Sequence, residues 1–263
     1  MERILDAHCH IYPEKIAARA VEAIGKFYDI EMDLDGTVNC LVETGMKAGV
    51  TDFLVHSVAT TPKQVTSINE FIASEVAKNP EHLIGFGSLH PDSDDLEGDI
   101  EHLLSLGLRG VKLHPDFQKF KIDSEKSVRM CKMFAGKIPL LIHAGDYRYH
   151  YSNPDNILRF LDKVPDITFI GAHFSGWSIQ EEAKEKLTGI PNFYVDTSSS
   201  FYRLTDEQIV ELIYAFGVDH VLFGTDYPMW LPEKELDRIR GLGLPEADLK
   251  KILFENAEKL LLK

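Results

Sequence analysis

Eight short runs of apolar, β-branched or aromatic residues recur along the chain, each followed by polar, Gly or Pro residues and then by a segment of helical periodicity. They fall at about 4–10, 52–59, 83–90, 108–114, 139–145, 167–174, 193–198 and 221–226. Strands that alternate with helices pair in parallel through right-handed crossovers. Eight such units in 263 residues match the usual length, about 250 residues, of a closed (β/α)8 TIM barrel. An open doubly wound sheet is the alternative. No Ser-, Gly- or Pro-rich linker divides the chain, so we expect one domain over 1–263, with an insertion-like first connection at about 11–50 that carries at least one helix.

The helix starts support this alternation. Thr61-Pro62 with Gln64, Ser178 with Glu181 and Thr205 with Gln208 read as capped starts, and Asn153-Pro154 as an N-cap followed by proline at the first helical position. Val65, Ile68, Ile72 and Val76 form one apolar stripe. Leu96, Ile100, Leu103 and Leu104 form a second, and Ile209, Leu212, Ile213 and Phe216 a third, stopped by Gly217.

Charge narrows the partners. With 28 basic and 42 acidic residues the net charge is −14, and no basic cluster offsets it, so nucleic acid and anionic membranes are not expected ligands. A small-molecule substrate is expected, and a homo-oligomer is compatible with the sequence. Three cysteines without paired spacing fit a reducing compartment, and the start of the chain reads as neither signal peptide nor anchor. The expectation is a cytoplasmic protein.

The chemistry gathers where the strands end. Of 11 histidines, seven terminate predicted strands: His8, His10, His56, His90, His114, His143 and His173, while Asp196 and Asp226 end the last two. In a barrel these ends converge on the one face where active sites are built, and imidazoles with carboxylates there suit a metal. His82, His102 and His220 fall in helix or turn contexts and read as solvated. Within Asp6-Ala7-His8-Cys9-His10, side chains at i and i+2 share a face, so Asp6, His8 and His10 are expected to point inward and Ala7 and Cys9 outward.

These segments resemble the amidohydrolase superfamily of metal-dependent barrels, in particular its aminocarboxymuconate-semialdehyde decarboxylase-like branch. The matching motifs are Asp-Ala-His-Cys-His from Asp6, Gly-Val-Lys-Leu-His-Pro from Gly110, Ile-His-Ala-Gly from Ile142, Gly-Ala-His-Phe-Ser-Gly from Gly171, Gly-Thr-Asp-Tyr-Pro from Gly224, and the terminal segment 252–261. They occur in the family's order along nearly the whole chain. The resemblance implies His8, His10, His143 and Asp226 as ligands of one divalent ion, with zinc expected and manganese the alternative. It implies His173 as the catalytic imidazole, with His173 or Asp226 shuttling a proton. A cation held this way would bring the pKa of a bound water toward ~7.

Lys112 and His114 share a strand face and are expected to line the substrate pocket, although a carboxylated Lys112 bridging two metals is left open. His56 and His90 read as pocket lining or core, Asp6 as an orienter of the ligands, and Asp196 as a cap of the following loop or a site carboxylate. Arg148, in the aromatic segment 146–151, is the candidate for holding a substrate carboxylate, with Trp177 and Trp230 as walls. The leading functional reading is a metal-dependent hydrolase using activated water. The alternative is a nonoxidative decarboxylase of an aromatic or muconate-like acid, and a non-catalytic metal-binding protein ranks third. The chain is short and offers little obvious covering segment after its first strand, which favours the hydrolase over the decarboxylase.

Overall fold

Every apolar run contributes a strand, and every strand is shorter than its run. In the computed structural model, which describes residues 3–262, the strands are β1 (Leu5–His10), β2 (Asp52–His56), β3 (Leu83–Gly85), β4 (Val111–Leu113), β5 (Leu140–Ile142), β6 (Phe169–Gly171), β7 (Phe193–Asp196) and β8 (Val221–Leu222). All neighbouring strands pair in parallel, in sequence order, as β1 to β3 and β4 to β8. Two seams close the ring. Gly87 bridges Val111, with Lys112 N donating to Gly87 O at 2.7 Å, and Cys9 bridges Tyr227, with Ala7 N donating to Phe223 O at 2.8 Å. The result is the TIM barrel expected from the alternation.

The helices are α1 (Glu14–Tyr28), α2 (Val38–Ala48), α3 (Val65–Lys78), α4 (Leu96–Ser105), α5 (Pro115–Gln118), α6 (Glu125–Phe134), α7 (Pro154–Lys163), α8 (Gln180–Leu187), α9 (Asp206–Phe216), α10 (Pro232–Gly241), α11 (Glu246–Lys250) and α12 (Asn256–Leu261), the last two joined by a π-helical turn, Lys251–Glu255. The first connection thus carries two helices. Capping boxes form at Thr61/Gln64 and Thr205/Gln208 as the spacing predicts. Ser178 does not cap α8; its hydroxyl instead donates to Gly145 O at 3.1 Å and accepts from Tyr147 N at 2.9 Å, tying the loops after β5 and β6 together. Leu104 departs from its stripe and is exposed, because Leu96, Ile100 and Leu103 already complete the buried face of α4. His82 and His220 are half-buried rather than solvated: each ring Nδ1 pairs with a backbone carbonyl, of Thr51 and Phe193, at the start of a strand.

Leu5, Ala7, Leu54, Ile84, Leu141, Ile170 and Leu222 pack into one cluster with Ala257 and Leu261 of α12, so the C-terminal helix closes one end of the barrel. A larger apolar layer, holding Cys9, Phe53, Val55, Leu113, Ile142 and the inward faces of the helices, surrounds the strands. Ala7 therefore does not face outward with Cys9, and Asp6 lies level with Phe53, on the helix side. The register slips between Asp6 and Cys9, a bulge that breaks the two-residue alternation. Below it Leu5 faces in and Asp6 out; above it His10 lies level with His56. The bulge thus turns the histidines toward the barrel mouth.

Candidate metal centre

His8 Nε2, His10 Nε2 and Asp226 Oδ1 form a triangle with sides of 3.3, 3.4 and 3.5 Å. Donors bound tetrahedrally at about 2.0–2.1 Å from a cation lie roughly 3.3–3.4 Å apart, so this triangle has the dimensions of one face of a four-coordinate site. Two carboxylate- and hydroxyl-bearing groups aim it. Asp196 Oδ2 takes His8 Nδ1 at 2.8 Å, leaving Nε2 free as a donor, and Ser199 Oγ donates to Asp226 Oδ2 at 2.5 Å, leaving Oδ1 free. Such outer partners fix the tautomer and orientation of a metal ligand. Asp196 also accepts from the backbone N–H groups of His173 and Ser198, at 3.0 and 3.1 Å, so one carboxylate organises the ends of β1, β6 and β7.

Asp6 works one step further out. Its Oδ1 accepts from His8 N at 3.1 Å and Thr225 N at 2.9 Å, and its Oδ2 from Thr225 Oγ1 at 2.5 Å, which locks the turn carrying Asp226 to β1. That turn needs locking: Asp226 sits at φ 64°, and His173, Phe174, Ser175 and Ser199 also have positive φ between 47° and 60°. Non-glycine residues in this region cost energy and persist only where neighbours determine them.

His56 joins the triangle. One of its ring nitrogens lies within 4.8 Å of a donor atom of each of His8 and His10, its ring is 4.4 Å from that of His10, and neither ring nitrogen has a hydrogen-bond partner although the residue is fully buried. An orphaned imidazole beside three converging donors fits a cation better than a packed core. Lys112 reaches the same point, with Nζ 3.0 Å from His8 Nε2, and burial lowers its pKa to about 8 against the opposing pull of Asp196 and Asp226. Burial also lowers the pKa of His8, His56, His114 and His143 well below the ordinary value and that of His10 to about 3, with the Lys112 charge adding to the effect. Neutral imidazole is the metal-binding form.

His143 stands on the facing wall, in a second group with His114 and Asp116 whose donor atoms lie within 4.8 Å of one another. The two imidazoles stack at 4.0 Å. His143 Nδ1 is 3.0 Å from His173 Nε2, and His173 in turn places its ring 5.3 Å from that of His8, bridging the two groups. His173 Nδ1 lies 2.8 Å from Ser198 O, so a proton on that nitrogen is held by the carbonyl. Asp116 escaped the sequence reading; burial, with Asp146 adding and Arg148 opposing, raises its pKa to about 7. His90 lies apart, accepting from Asp92 N at 3.2 Å in its own turn.

Tyr28 also escaped it. The last residue of α1, it lies over the site with its hydroxyl 2.8 Å from His114 Nε2 and 3.4 Å from His143 Nε2. The first connection is therefore a cover, contrary to the expectation that little follows the first strand. Ile24, Tyr28 and Met32 wall a narrow cavity of about 20 Å³, opposite His10, His143, His173 and Asp226. Arg148 holds the cover down. Its Nε and Nη2 fork grips Asp146, at 3.0 and 2.7 Å, and its Nη1 donates to Phe27 O at 2.8 Å. The arginine expected to clamp a substrate is thus already paired. Trp177 packs behind Tyr28 at 4.9 Å, and Trp230 donates to Ser199 Oγ at 2.9 Å.

A parallel eight-stranded barrel with imidazole and carboxylate donors at the C-terminal ends of its strands defines a metal-dependent barrel enzyme. The chain belongs to the amidohydrolase family, whose model matches residues 5–262. It is 25% identical to the gamma-resorcylate decarboxylase of Polaromonas sp. (strain JS666), over 73% of this chain and 74% of that protein. An uncharacterized TIM-barrel protein from Bordetella bronchiseptica superposes with a TM-score of 0.81 at 21% identity, covering 99% of this chain and 98% of that one. A dihydroxybenzoic acid decarboxylase from Polaromonas sp. JS666, solved with bound manganese and the inhibitor 2-nitroresorcinol, superposes at 0.74 with 19% identity, covering 100% and 97%. No helix among the described residues is long and apolar enough to cross a membrane.

Proposed function

We propose that the chain, acting as one catalytic domain, is a metal-dependent nonoxidative decarboxylase of a small aromatic acid. The observation that carries this reading is the cover. α1 lays Ile24 and Tyr28 across the donor groups, with Met32 just beyond it, and leaves little space for bulk water. Loss of CO2 from a carboxylate consumes no water, and it needs only that a proton reach the carbon the carboxyl leaves. A closed, apolar-walled site strengthens electrostatic interactions with such a substrate and suppresses competing hydrolysis. The likeness to decarboxylases, one of them holding manganese, supports the same choice over the hydrolase expected from the sequence.

On this reading His8, His10 and Asp226 offer three converging donors with the unpartnered His56 beside them, and His143, the ligand implied by the resemblance, would approach from the facing wall, where its Nδ1 lies 3.0 Å from His173 Nε2. A bound divalent ion, manganese or zinc, would anchor the acid's oxygens and draw charge from them. His173 moves the proton: Ser198 O retains Nδ1–H, so Nε2 is the atom that accepts and delivers. His114, paired with the Tyr28 hydroxyl, lines the substrate side together with Lys112.

One observation favours hydrolysis as a second reading, namely that the cavity volume of about 20 Å³ matches a single water. A panel of aromatic and aliphatic carboxylic acids, lactones and amides, followed both by CO2 release and by titration of released acid, separates the two. CO2 release from an aromatic acid supports the proposal; acid production without CO2 replaces it with hydrolysis.

A further inference from the structure

The cavity at the donors is narrow, about 20 Å³, so the body of a carboxylic acid bound there extends beyond it. A second pocket of about 270 Å³ opens beside it, between α1 and the ends of β2 and β4. Its walls are Ala20, Ala23, Ile24 and Phe27 of α1, with Val58 and Phe117 opposite, and it shares His10, Tyr12, Ile24 and Phe117 with the cavity at the donors. Among the described residues no Asp, Glu, Lys or Arg side chain lines it. Benzene fills an apolar cavity of about 150 Å³, so this pocket has room for a substituted ring. Its walls are braced: Phe27 packs edge-on against Phe117 at 4.7 Å and stacks on Tyr149 at 5.7 Å, and Arg148 holds its carbonyl.

We propose that this pocket receives the uncharged, ring-sized body of the substrate while its carboxylate reaches past His10 to the metal donors, and that Ala20 and Ala23 set the size of ring accepted. The inference rests on the decarboxylase reading only in taking a carboxylate as the group that meets the donors. The uncharged lining offers no partner to a second ionised group on the ligand, so the pocket itself adds affinity only for an uncharged ring. The two alanines leave space on the helix face that any larger side chain would fill.

The test is calorimetric titration of the manganese-loaded protein with benzoate and with acetate. The wild type should bind benzoate at least tenfold more tightly than acetate. Ala20→Leu and Ala23→Leu should each weaken benzoate tenfold or more, leave acetate within twofold, and leave the metal content unchanged; leucine preserves the helix because its propensity is close to that of alanine. Equal affinity for the two acids in the wild type, or benzoate binding unaffected by either leucine, overturns the pocket while the CO2-release assay continues to judge the decarboxylase reading alone. Failure of both acids to bind likewise overturns the pocket and leaves the decarboxylase reading to the CO2-release assay.

Discussion

Replacing Arg148 by lysine keeps a positive charge beside Asp146 but removes what only a guanidinium can make. The wild-type side chain places two nitrogens on the buried Asp146 carboxylate and a third on the carbonyl of Phe27, one residue from Tyr28. Lysine retains one contact with Asp146 and loses the second arm of the fork, the Phe27 bond and the stack of the guanidinium on the Phe27 ring, 4.8 Å away. Two lost hydrogen bonds from a charged donor are worth about 3–6 kcal/mol if buried, and the 28% exposure of the Arg148 side chain, with the one contact that lysine keeps, cuts this to roughly 1–2 kcal/mol. That corresponds to about 5- to 30-fold more frequent opening of the end of α1. Amide hydrogen exchange resolves it: residues 27–32 should exchange faster by that factor, while residues 140–142 of β5 stay as in the wild type. Metal content should be unchanged and kcat/KM should fall. Wild-type exchange throughout 24–32 would refute the argument that Arg148 holds the cover.

Three further outcomes follow from the site. His8→Ala and His10→Ala should each remove the divalent ion from protein that otherwise binds close to one equivalent, as measured by elemental analysis. His173→Asn should keep the metal and lose about 10²- to 10⁴-fold in kcat, the usual share of acid–base assistance; loss of metal would show that it is a ligand instead. Glu235 of α10 is buried with Oε2 unpartnered, and burial raises its pKa to about 8 against the pull of Arg238. A carboxyl protonated in the native state and ionised in the unfolded state between about pH 4.5 and 8 makes stability fall as pH rises across that window, by a few kcal/mol. Urea unfolding at pH 5 and 8 should show this fall in the wild type and much less of it in Glu235→Gln.

The strand-end residues were legible because a barrel converts sequence position into spatial position: any residue that ends a parallel strand reaches the same face. His8, His10 and Asp226 needed nothing more to be found together. Two of the three expected capping boxes, at Thr61/Gln64 and Thr205/Gln208, were legible because they are closed by residues three apart; the third failed because Ser178 is taken by the loop after β5. The phase of Asp6 was not, since a bulge leaves no mark in a six-residue strand and the alternation rule assumes there is none. The role of α1 was not legible either. The sequence leads us to expect at least one helix in the first connection, but not that the final tyrosine of α1 crosses the barrel mouth to His114 and His143, residues separated from it by 86 and 115 positions. Asp116 hid for a related reason, and Asp196, though legible as a strand-end carboxylate, hid its partner: a carboxylate that orients an imidazole is recognised by the atom it faces, and Asp196 faces a histidine 188 residues away. The reading of Arg148 failed to see Asp146 as its partner, although the two are only two residues apart, because the fork forms only when the loop turns back on itself.

The most direct test of the central claim follows solvent atoms into the product. Manganese-loaded enzyme, turning over an aromatic acid identified by the panel, is run in parallel in D2O and in water enriched in oxygen-18, and the organic product is examined by mass spectrometry. Decarboxylation predicts CO2 and product in equal amounts, one deuterium on the carbon that carried the carboxyl group, and no oxygen-18 in the organic product. Oxygen-18 in that product, with the substrate carboxyl carbon retained, would contradict it and identify the reaction as hydrolysis.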